Sequence, residues 1–288
     1  MNITTELIAS DYFPIRILSE QTGVNSVTLR AWERRYGLLK PFRTEKGHRL
    51  YCLQDVERVK RILYWINQGV SVGKVRALLD SGSDDLRMKG DEDQWPDWQW
   101  QFIAAVVELN QSKWQRLFQE ASKQYPVSVL LKKGLLPALQ KLRNQKSALV
   151  ARLCLQSALV ERVSSIKTSG AKVKTDGPIT LIINADNSAL MSHLVCWSLS
   201  ESQQLYRYIE GVKTAAEVSV LVGALQPGAT ILVAESLTQA EAEKWLSFLS
   251  EAPLENLSLI GSGFWLGVLG TKPIVGIKAY SDVSAFLS

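Results

Sequence analysis

The stretch Thr28–Tyr51, TLRAWERRYGLLKPFRTEKGHRLY, decides the fold of the N-terminal part of this chain. It interleaves cations with aromatic side chains, which a merely solvated helix does not require. The segment before it predicts a short helix, with Pro14 in the first turn and Gly23 at the end. Asn25 or Ser26 can cap a second helix. Two short helices joined by a turn that contains Gly are typical of a helix-turn-helix.

The second half of the stretch predicts a β-hairpin. Two extended arms flank a turn at residues 45–47, and such a hairpin would form the wing of a winged helix-turn-helix. Asp55 is expected to cap a third helix, and a fourth ends near Gly82. Residues 83–97 are polar and rich in Asp, so they are predicted to be a linker. The first domain is therefore expected at residues 12–82.

The remaining sequence predicts two further domains. Apolar residues recur at helical spacing through residues 98–167, which favours an all-α helical bundle. Its helices are expected at Trp98–Leu109, Ser112–Gln124, Val127–Leu142 and Ala148–Ile166, with Trp95, Trp98, Trp100 and Trp114 in its core and rim. Residues 178–288 alternate short apolar runs with helix-like stretches, which predicts an α/β domain with a doubly wound parallel sheet. The expected strands are Ile179–Ile183, Ile231–Ala234, Leu257–Ile260 and Ile274–Ile277.

Charge is divided unevenly along the 288 residues. Residues 1–80 hold thirteen Lys or Arg and eight Asp or Glu, a net charge of +5, whereas residues 178–288 hold five and ten, a net charge of −5. This asymmetry predicts that a polyanionic partner meets the N-terminal part. No membrane span or secretory signal is evident, so a cytoplasmic location is expected.

The inventory of Cys and His predicts neither a metal site nor a catalytic site. Cys52, Cys154 and Cys196 are far apart in the sequence, and all three are expected to be small buried residues. With only His48 and His193 in the chain, a metal site built from histidine is not expected.

The basic head has the residue types that double-stranded DNA requires. The N-terminal half of a helix in the major groove meets base edges, and hairpin cations can hold phosphates. The residues expected to face base edges are Ser26, Thr28, Arg30 and Arg34. Those expected to contact the backbone are Arg43, Lys46, His48, Arg49 and Tyr51. Trp32, Leu29 and Leu38 are predicted to form the small core behind them. The alternative is that the cations are only a solvated face, which leaves the order of turn, helix and basic hairpin unexplained.

These residues resemble the N-terminal domain of MerR-type transcription regulators. The matching positions are Leu29, Arg30, Glu33, Arg34, Gly37, Leu38, Leu39, Pro41, Arg43, Gly47, His48, Arg49, Leu50 and Tyr51. The variant with Trp32 and His48 is most similar to the branch that joins this head to a cobalamin-binding-type region, including CarH-type light sensors and MlrA-type curli and biofilm regulators. The resemblance implies a homodimer on double-stranded promoter DNA. An end near Gly82 leaves no room for the long coiled coil of the classical branch.

A cobalamin module of this type carries Asp-x-His-x-x-Gly after the first strand of its α/β domain. The resemblance implies that the histidine replaces the lower axial base of the cofactor and that the aspartate orients it. Here Asp186 stands at the aspartate position, Ser188 at the histidine position and Met191 at the glycine position. A serine hydroxyl is a poor ligand for a metal centre that prefers imidazole nitrogen. Cobalamin is therefore not expected as a cofactor.

Three functional hypotheses follow. The favoured one is a sequence-specific DNA-binding transcription regulator, not an enzyme, whose degenerate cobalamin-like region serves oligomerisation, a signalling-protein partner or an unknown ligand. The second is a cobalamin-dependent sensor of light or a ligand. The third, a corrinoid-dependent methyl-transfer module, requires the missing histidine and leaves the basic head unexplained.

Overall fold

The computed structural model describes residues 12–80, 93–169, 178–186, 189–202, 204–251, 253–269 and 276–287. They belong to two compact units, Met1–Arg152 and Leu153–Ser288. The first unit contains both the head and most of the predicted helical region. The boundary between the units therefore lies inside the segment predicted as a separate bundle.

The first two helices of the head are set by their terminal residues. Helix α1 spans Ile15–Thr22 and ends at Gly23, whose N–H donates to the carbonyl of Ser19. Helix α2 spans Ser26–Tyr36, and Asn25 is its N-cap: the Oδ1 atom accepts from the N–H of Thr28 at 2.7 Å. The predicted helix-turn-helix is present.

A three-stranded antiparallel sheet forms the wing and its base. Strands β1 (Phe13–Pro14), β2 (Phe42–Arg43) and β3 (Arg49–Tyr51) are ordered β1-β3-β2. The predicted turn joins β2 to β3, and Gly47 takes a φ of +79° there, a conformation that residues with a Cβ rarely adopt. The sequence did not predict β1, because a two-residue strand carries no periodic signal.

Two further helices complete the head. Helix α3 spans Leu53–Asn67, and helix α4 spans Val72–Asp80. Asp55 was expected to be the N-cap of α3, but Cys52 holds that position. Asp55 instead lies at the third helical position, where its carboxylate accepts from the N–H of Cys52 at 3.0 Å in a capping box.

The helices after the head begin earlier than predicted. Helix α5 spans Trp95–Val107, so the last residues of the predicted linker 83–97 are helical. Pro96 in the first turn needs no backbone partner, and the Asp93 carboxylate accepts from the N–H of Trp95 at 3.1 Å. Helix α6 follows at Gln111–Gln124.

The predicted helix at Val127–Leu142 consists of three segments. A short helix α7 (Val127–Val129) continues into a π-helical segment at Leu130–Leu135 and then into helix α8 (Leu136–Arg143). Gly134 lies in the π-helical segment, and a Cβ atom there would come within 2.7 Å of the Trp95 ring. The wider turn of the π-helical segment, with glycine at position 134, thus allows the Trp95 ring to pack directly against the backbone. A 3₁₀ turn at Lys146–Ala148 precedes helix α9 at Leu149–Ser169.

The second unit is built on a parallel five-stranded sheet. Its strands are β4 (Thr180–Asn184), β5 (Tyr206–Ile209), β6 (Ala229–Val233), β7 (Leu257–Ile260) and β8 (Ile277–Tyr280). They lie in the order β5-β4-β6-β7-β8, and every neighbouring pair is parallel. This order is that of the flavodoxin-like doubly wound fold, so the predicted fold class is confirmed.

Helices alternate with these strands along the chain. They are α10 (Ala189–Glu201), α11 (Ala215–Leu225), α12 (Gln239–Glu251), α13 (Ser262–Leu269) and α14 (Val283–Phe286). The strand β5 was missed, because its sequence YRYI is polar enough to lack the apolar run of a central strand. The last strand lies later than the predicted Ile274–Ile277. No helix among the described ranges is both long and apolar enough to span a membrane.

Candidate nucleic-acid interface

One face of helix α2 is open to solvent. Val27, Arg30 and Arg34 are exposed, with Val27 at 57%, and Ser26 is half-buried. At 100° per residue, these side chains fall within one stripe along the helix. The stripe carries three of the four residues predicted to face base edges. It also contains Val27, which was not predicted although its spacing from Arg30 and Arg34 could have indicated it.

The opposite face of α2 forms the core of the head. Trp32 and Leu29 are fully buried there, as predicted, and Leu38 is buried after the helix. Thr28 is also fully buried, so its predicted contact with a base edge is wrong for this conformation. The reason is its phase: Thr28 lies only about 40° around the helix from Trp32, between that residue and the buried Ala31.

The wing presents most of its predicted cations outward. Arg43, Lys46 and His48 are exposed, and Arg49 is half-buried. Positive side chains therefore follow both the exposed stripe of α2 and the hairpin beside it. Such a surface can neutralise backbone phosphates while a helix reaches the bases.

Glu33 connects α2 to the wing. Its Oε1 atom accepts from Nη2 of Arg43 at 2.7 Å, and its Oε2 atom accepts from Nε of Arg49 at 2.5 Å. The Glu33 side chain is only 10% exposed. From the sequence, Glu33 was predicted only as a motif position, with no role of its own. The available signal was that Glu33 is the only acidic residue between Arg30 and Arg43.

Tyr51 was expected to contact the DNA backbone, and the structure contradicts that expectation. It is fully buried at the end of the central strand, where it pairs with Phe13 of the unpredicted strand β1. Burial, and after it the negative charge of Glu33, raises the pKa of Tyr51 to about 12. Its hydroxyl is therefore neutral at physiological pH and serves the core of the head.

The head is anchored to the end of helix α6. The indole N–H of Trp32 donates to the carbonyl of Gln124 at 2.8 Å, across 92 positions of sequence. The hydroxyl of the next residue, Tyr125, accepts from the N–H of Val72 at 3.5 Å and from the side-chain amide of Gln94. The helix that presents the cations thus shares a core with the helices behind it.

In the second unit, the aspartate of the motif, Asp186, accepts hydrogen bonds from the protein backbone. Oδ2 of Asp186 accepts from the backbone N–H groups of Glu235 and Ser236, each at 2.7 Å. Met191 is half-buried in helix α10, and Ser188 lies outside the described residues. Asp186 therefore joins the ends of strands β4 and β6, at the point where the strand order of the sheet reverses.

The neighbouring glycines have a packing role. A Cβ atom at Gly261 would lie 2.2 Å from the carbonyl oxygen of Ala234, so only glycine permits this approach of β7 to the end of β6. The hydroxyl of Ser262 donates to the carbonyl of Glu235 at 3.0 Å. The stretch at residues 261–263 is thus a strand-to-helix turn.

The imidazole of the second unit is engaged by protein groups. His193 is 6% exposed, its Nδ1 lies 2.9 Å from the carbonyl of Ala189, and its ring packs edge-on against Tyr208. Within the described part of the chain, no three His, Cys, Asp or Glu side chains form a cluster that could hold a metal ion. The residues seen at the motif position do not fit axial ligation of cobalamin by histidine.

Two smaller sequence predictions need correction or refinement. Cys196 is buried and Cys52 is half-buried, but Cys154 is exposed, contrary to expectation. Trp95 and Trp114 are buried, whereas Trp100 is exposed. Trp98 stacks on Phe102 at 5.0 Å between ring centroids. Most of the tryptophans therefore pack in the helical core, as predicted.

Comparison with known proteins supports these observations. Residues 13–82 match the MerR HTH family of regulatory proteins. The HTH-type transcriptional regulator MlrA of Salmonella typhimurium is 29% identical over 240 residues, covering 79% of this chain and 90% of its own. MlrA of Escherichia coli is 33% identical over 160 residues, covering 56% of this chain and 63% of its own, so that match spans less than two thirds of the relative.

Among solved structures, the monomethylamine corrinoid protein of Methanosarcina barkeri is 18% identical with a TM-score of 0.47, covering 65% of this chain and 92% of its own. The sequence match at residues 13–82 coincides with the helices and the wing described above. The winged helix-turn-helix head, residues 13–82, is therefore the part of the chain that is similar to the MerR HTH family of regulatory proteins.

Proposed function

We propose that this protein is a bacterial transcription regulator that binds promoter DNA through residues 13–82. The observation that carries the proposal is the exposed stripe of α2, with Val27, Arg30 and Arg34, beside a cationic wing. Helix α2 would lie in the major groove, and the wing would hold the phosphate backbone. The relatives named above are transcription regulators, and a regulator of this kind acts in the cytoplasm on DNA rather than as an enzyme.

The proposal includes a symmetric dimer. Two copies would place two copies of α2 on half-sites one turn of DNA apart. The similarity to MlrA favours a role in curli or biofilm regulation, and mapping the bound sites across the genome would test that assignment. Sedimentation of the protein with and without its duplex would test the dimer.

The central test separates base reading from phosphate binding. Arg30→Ala is expected to reduce discrimination at particular base pairs by about 1–3 kcal/mol. Lys46→Ala, at the tip of the wing, should weaken all duplexes alike and lower the slope of log affinity against log salt by about one. Arg116→Ala removes an exposed cation of α6 outside the head and serves as the control.

The affinities would be measured by gel shift on the promoter of the protein's own gene and on a scrambled duplex, over a series of salt concentrations. An intact protein that does not distinguish these duplexes would contradict sequence-specific recognition. Equal effects of Arg30→Ala and Arg116→Ala would contradict the assignment of α2 as the reading element.

We also propose that the second unit does not bind cobalamin, since no histidine is placed to hold it. Three observations support this: Ser188 replaces the histidine, Asp186 accepts two backbone N–H groups, and His193 is buried. The acidic C-terminal third would instead contact a signalling protein, a second copy of the chain or another ligand. After incubation with cobalamin in the dark and dialysis, we expect no retained visible absorption. Retained absorption at one equivalent per chain would overturn this proposal.

A further inference from the structure

We propose that Glu33 is a positioning residue that fixes the angle between the reading helix and the wing. The inference rests on the proposed DNA-binding function and assigns a role to a residue that touches no DNA itself. It concerns specificity: Glu33 would determine whether the two contacting elements meet the duplex in register.

The strand register explains why a carboxylate is needed at this place. Arg43 of β2 and Arg49 of β3 are direct cross-strand partners in the antiparallel hairpin. Like charges placed directly opposite each other destabilise a strand pair. Glu33 projects from α2 and gives one oxygen to each guanidinium, at 2.7 and 2.5 Å. The carboxylate therefore offsets the repulsion inside the wing and connects the wing to α2.

Of the two ion pairs that Glu33 makes, the one with Arg49 is more shielded from water than the one with Arg43. The exposed fraction of the side chain rises from 10% at Glu33 to 26% at Arg49 and 52% at Arg43. Charge-assisted hydrogen bonds that are shielded from water hold their geometry better than a surface ion pair, which contributes little. Arg49 thus ties the base of the hairpin to α2, while Arg43 reaches outward.

The arrangement leaves donors for phosphates. A guanidinium group has five N–H donors, and the contacts with Glu33 use one atom of each arginine. The cluster of Glu33, Arg43 and Arg49 carries a net charge of +1. A carboxylate beside a polyanion lowers the general attraction for DNA, so its benefit must be geometric. Glu33 would therefore reduce raw affinity and increase the preference for the correct site.

The experiment uses the full-length chain and the duplex that the wild-type protein selects from a random-sequence pool. Glu33→Gln keeps the size of the side chain and removes its charge. Glu57→Gln is the matched control, because Glu57 is an exposed acidic residue of α3 in the same head and pairs with Lys60. The measured quantity is the ratio of affinity for the selected duplex to affinity for a random duplex. Thermal unfolding checks that each variant is folded.

We expect Glu33→Gln to lower this ratio by roughly tenfold, through weaker binding of the selected duplex, while random duplex is bound as tightly as before or more tightly. Hydroxyl-radical protection should disappear at the outer phosphates covered by the wing and persist at the groove covered by α2. Arg43→Ala should cost less in the Glu33→Gln background than in the wild type, because the two residues act together.

Equal ratios for Glu33→Gln, Glu57→Gln and the wild type would overturn the role of Glu33. So would a uniform loss of both affinities with unchanged wing protection. If Glu33→Gln does not fold, the comparison of Arg43→Ala with Glu33→Asp provides the second measurement, and additive effects there would also overturn it. A wild-type protein that selects no duplex would refute the DNA-binding function itself, and the inference would fail with it.

Discussion

Two carboxylates at motif positions, those of Glu33 and Asp186, accept hydrogen bonds from different kinds of donor. Glu33 in the head accepts from two arginine side chains, and both arginines remain part of a cationic surface. Asp186 in the second unit accepts from two backbone N–H groups of one turn. Glu33 therefore organises groups that can reach a partner, whereas Asp186 organises the fold itself.

The difference shows that two acidic motif residues can have different structural roles. In the head, the motif residues that surround Glu33 are present and bring charge to the surface. Around Asp186 the positions of the motif histidine and glycine hold Ser188 and Met191, and the aspartate accepts from the turn after β6.

Replacing Asp186 gives the largest effect that we expect from this comparison. In Asp186→Ala the N–H groups of Glu235 and Ser236 lose their acceptor, which should destabilise the turn by about 2 kcal/mol. Hydrogen exchange of a peptide covering residues 229–238 should become faster, while the affinity for DNA stays unchanged. Asp186→Asn keeps one acceptor oxygen, so its exchange rate should lie between those of the wild type and Asp186→Ala. Unchanged exchange in Asp186→Ala would show that the turn does not depend on this carboxylate.

A smaller effect, on the affinity for DNA, is expected from replacing Val27 of the head. An exposed apolar side chain on the reading stripe can contact the C5-methyl group of thymine. Val27→Ala should weaken binding of the selected duplex by about 1 kcal/mol. Replacing single thymines by deoxyuridine removes the methyl group, and one position in each half-site should matter for the wild type but not for Val27→Ala. If every deoxyuridine substitution affects both proteins equally, Val27 reads no methyl group.

The effect of Tyr51 is absent near neutral pH and appears only at alkaline pH. The folded head raises the pKa of this hydroxyl from 10.0, the ordinary value for a solvated tyrosine, to about 12. Below pH 10 both the folded and the unfolded chain keep the proton. Between about pH 10 and pH 12 the unfolded hydroxyl ionises while the folded one does not, so the free energy of unfolding falls as pH rises. Urea unfolding should therefore show a steeper alkaline loss for the wild type than for Tyr51→Phe. Parallel pH profiles would contradict the raised pKa.

The sequence predicted the head well because its signals are local. Helix ends at Gly23 and Gly37 and the turn at Gly47 are determined by neighbouring residues, and each was found where expected. Thr28 and Tyr51 were misassigned, because residue type was considered without the phase of the helix or the partner strand. A two-residue strand such as β1 becomes visible only after folding brings it beside β3.

The non-local contacts could not be read from the sequence. Strand β5 is short and polar on its exposed positions, so its place at the sheet edge follows only from pairing with β4. The bond between Trp32 and Gln124 joins segments that sequence periodicity treats as separate. Asp186 was correctly singled out as a motif residue, but the N–H groups that donate to it lie about fifty positions away.

The anchoring of the head at the end of α6 limits how the protein can be dissected. A fragment cut at residue 82 would leave the indole of Trp32 facing water and remove the residue that accepts its N–H. Chimaeras that transplant this head onto another protein should therefore keep at least the residues up to Tyr125. Residues 13–125 are about 1.6 times as long as the segment 13–82 that matches the MerR HTH family.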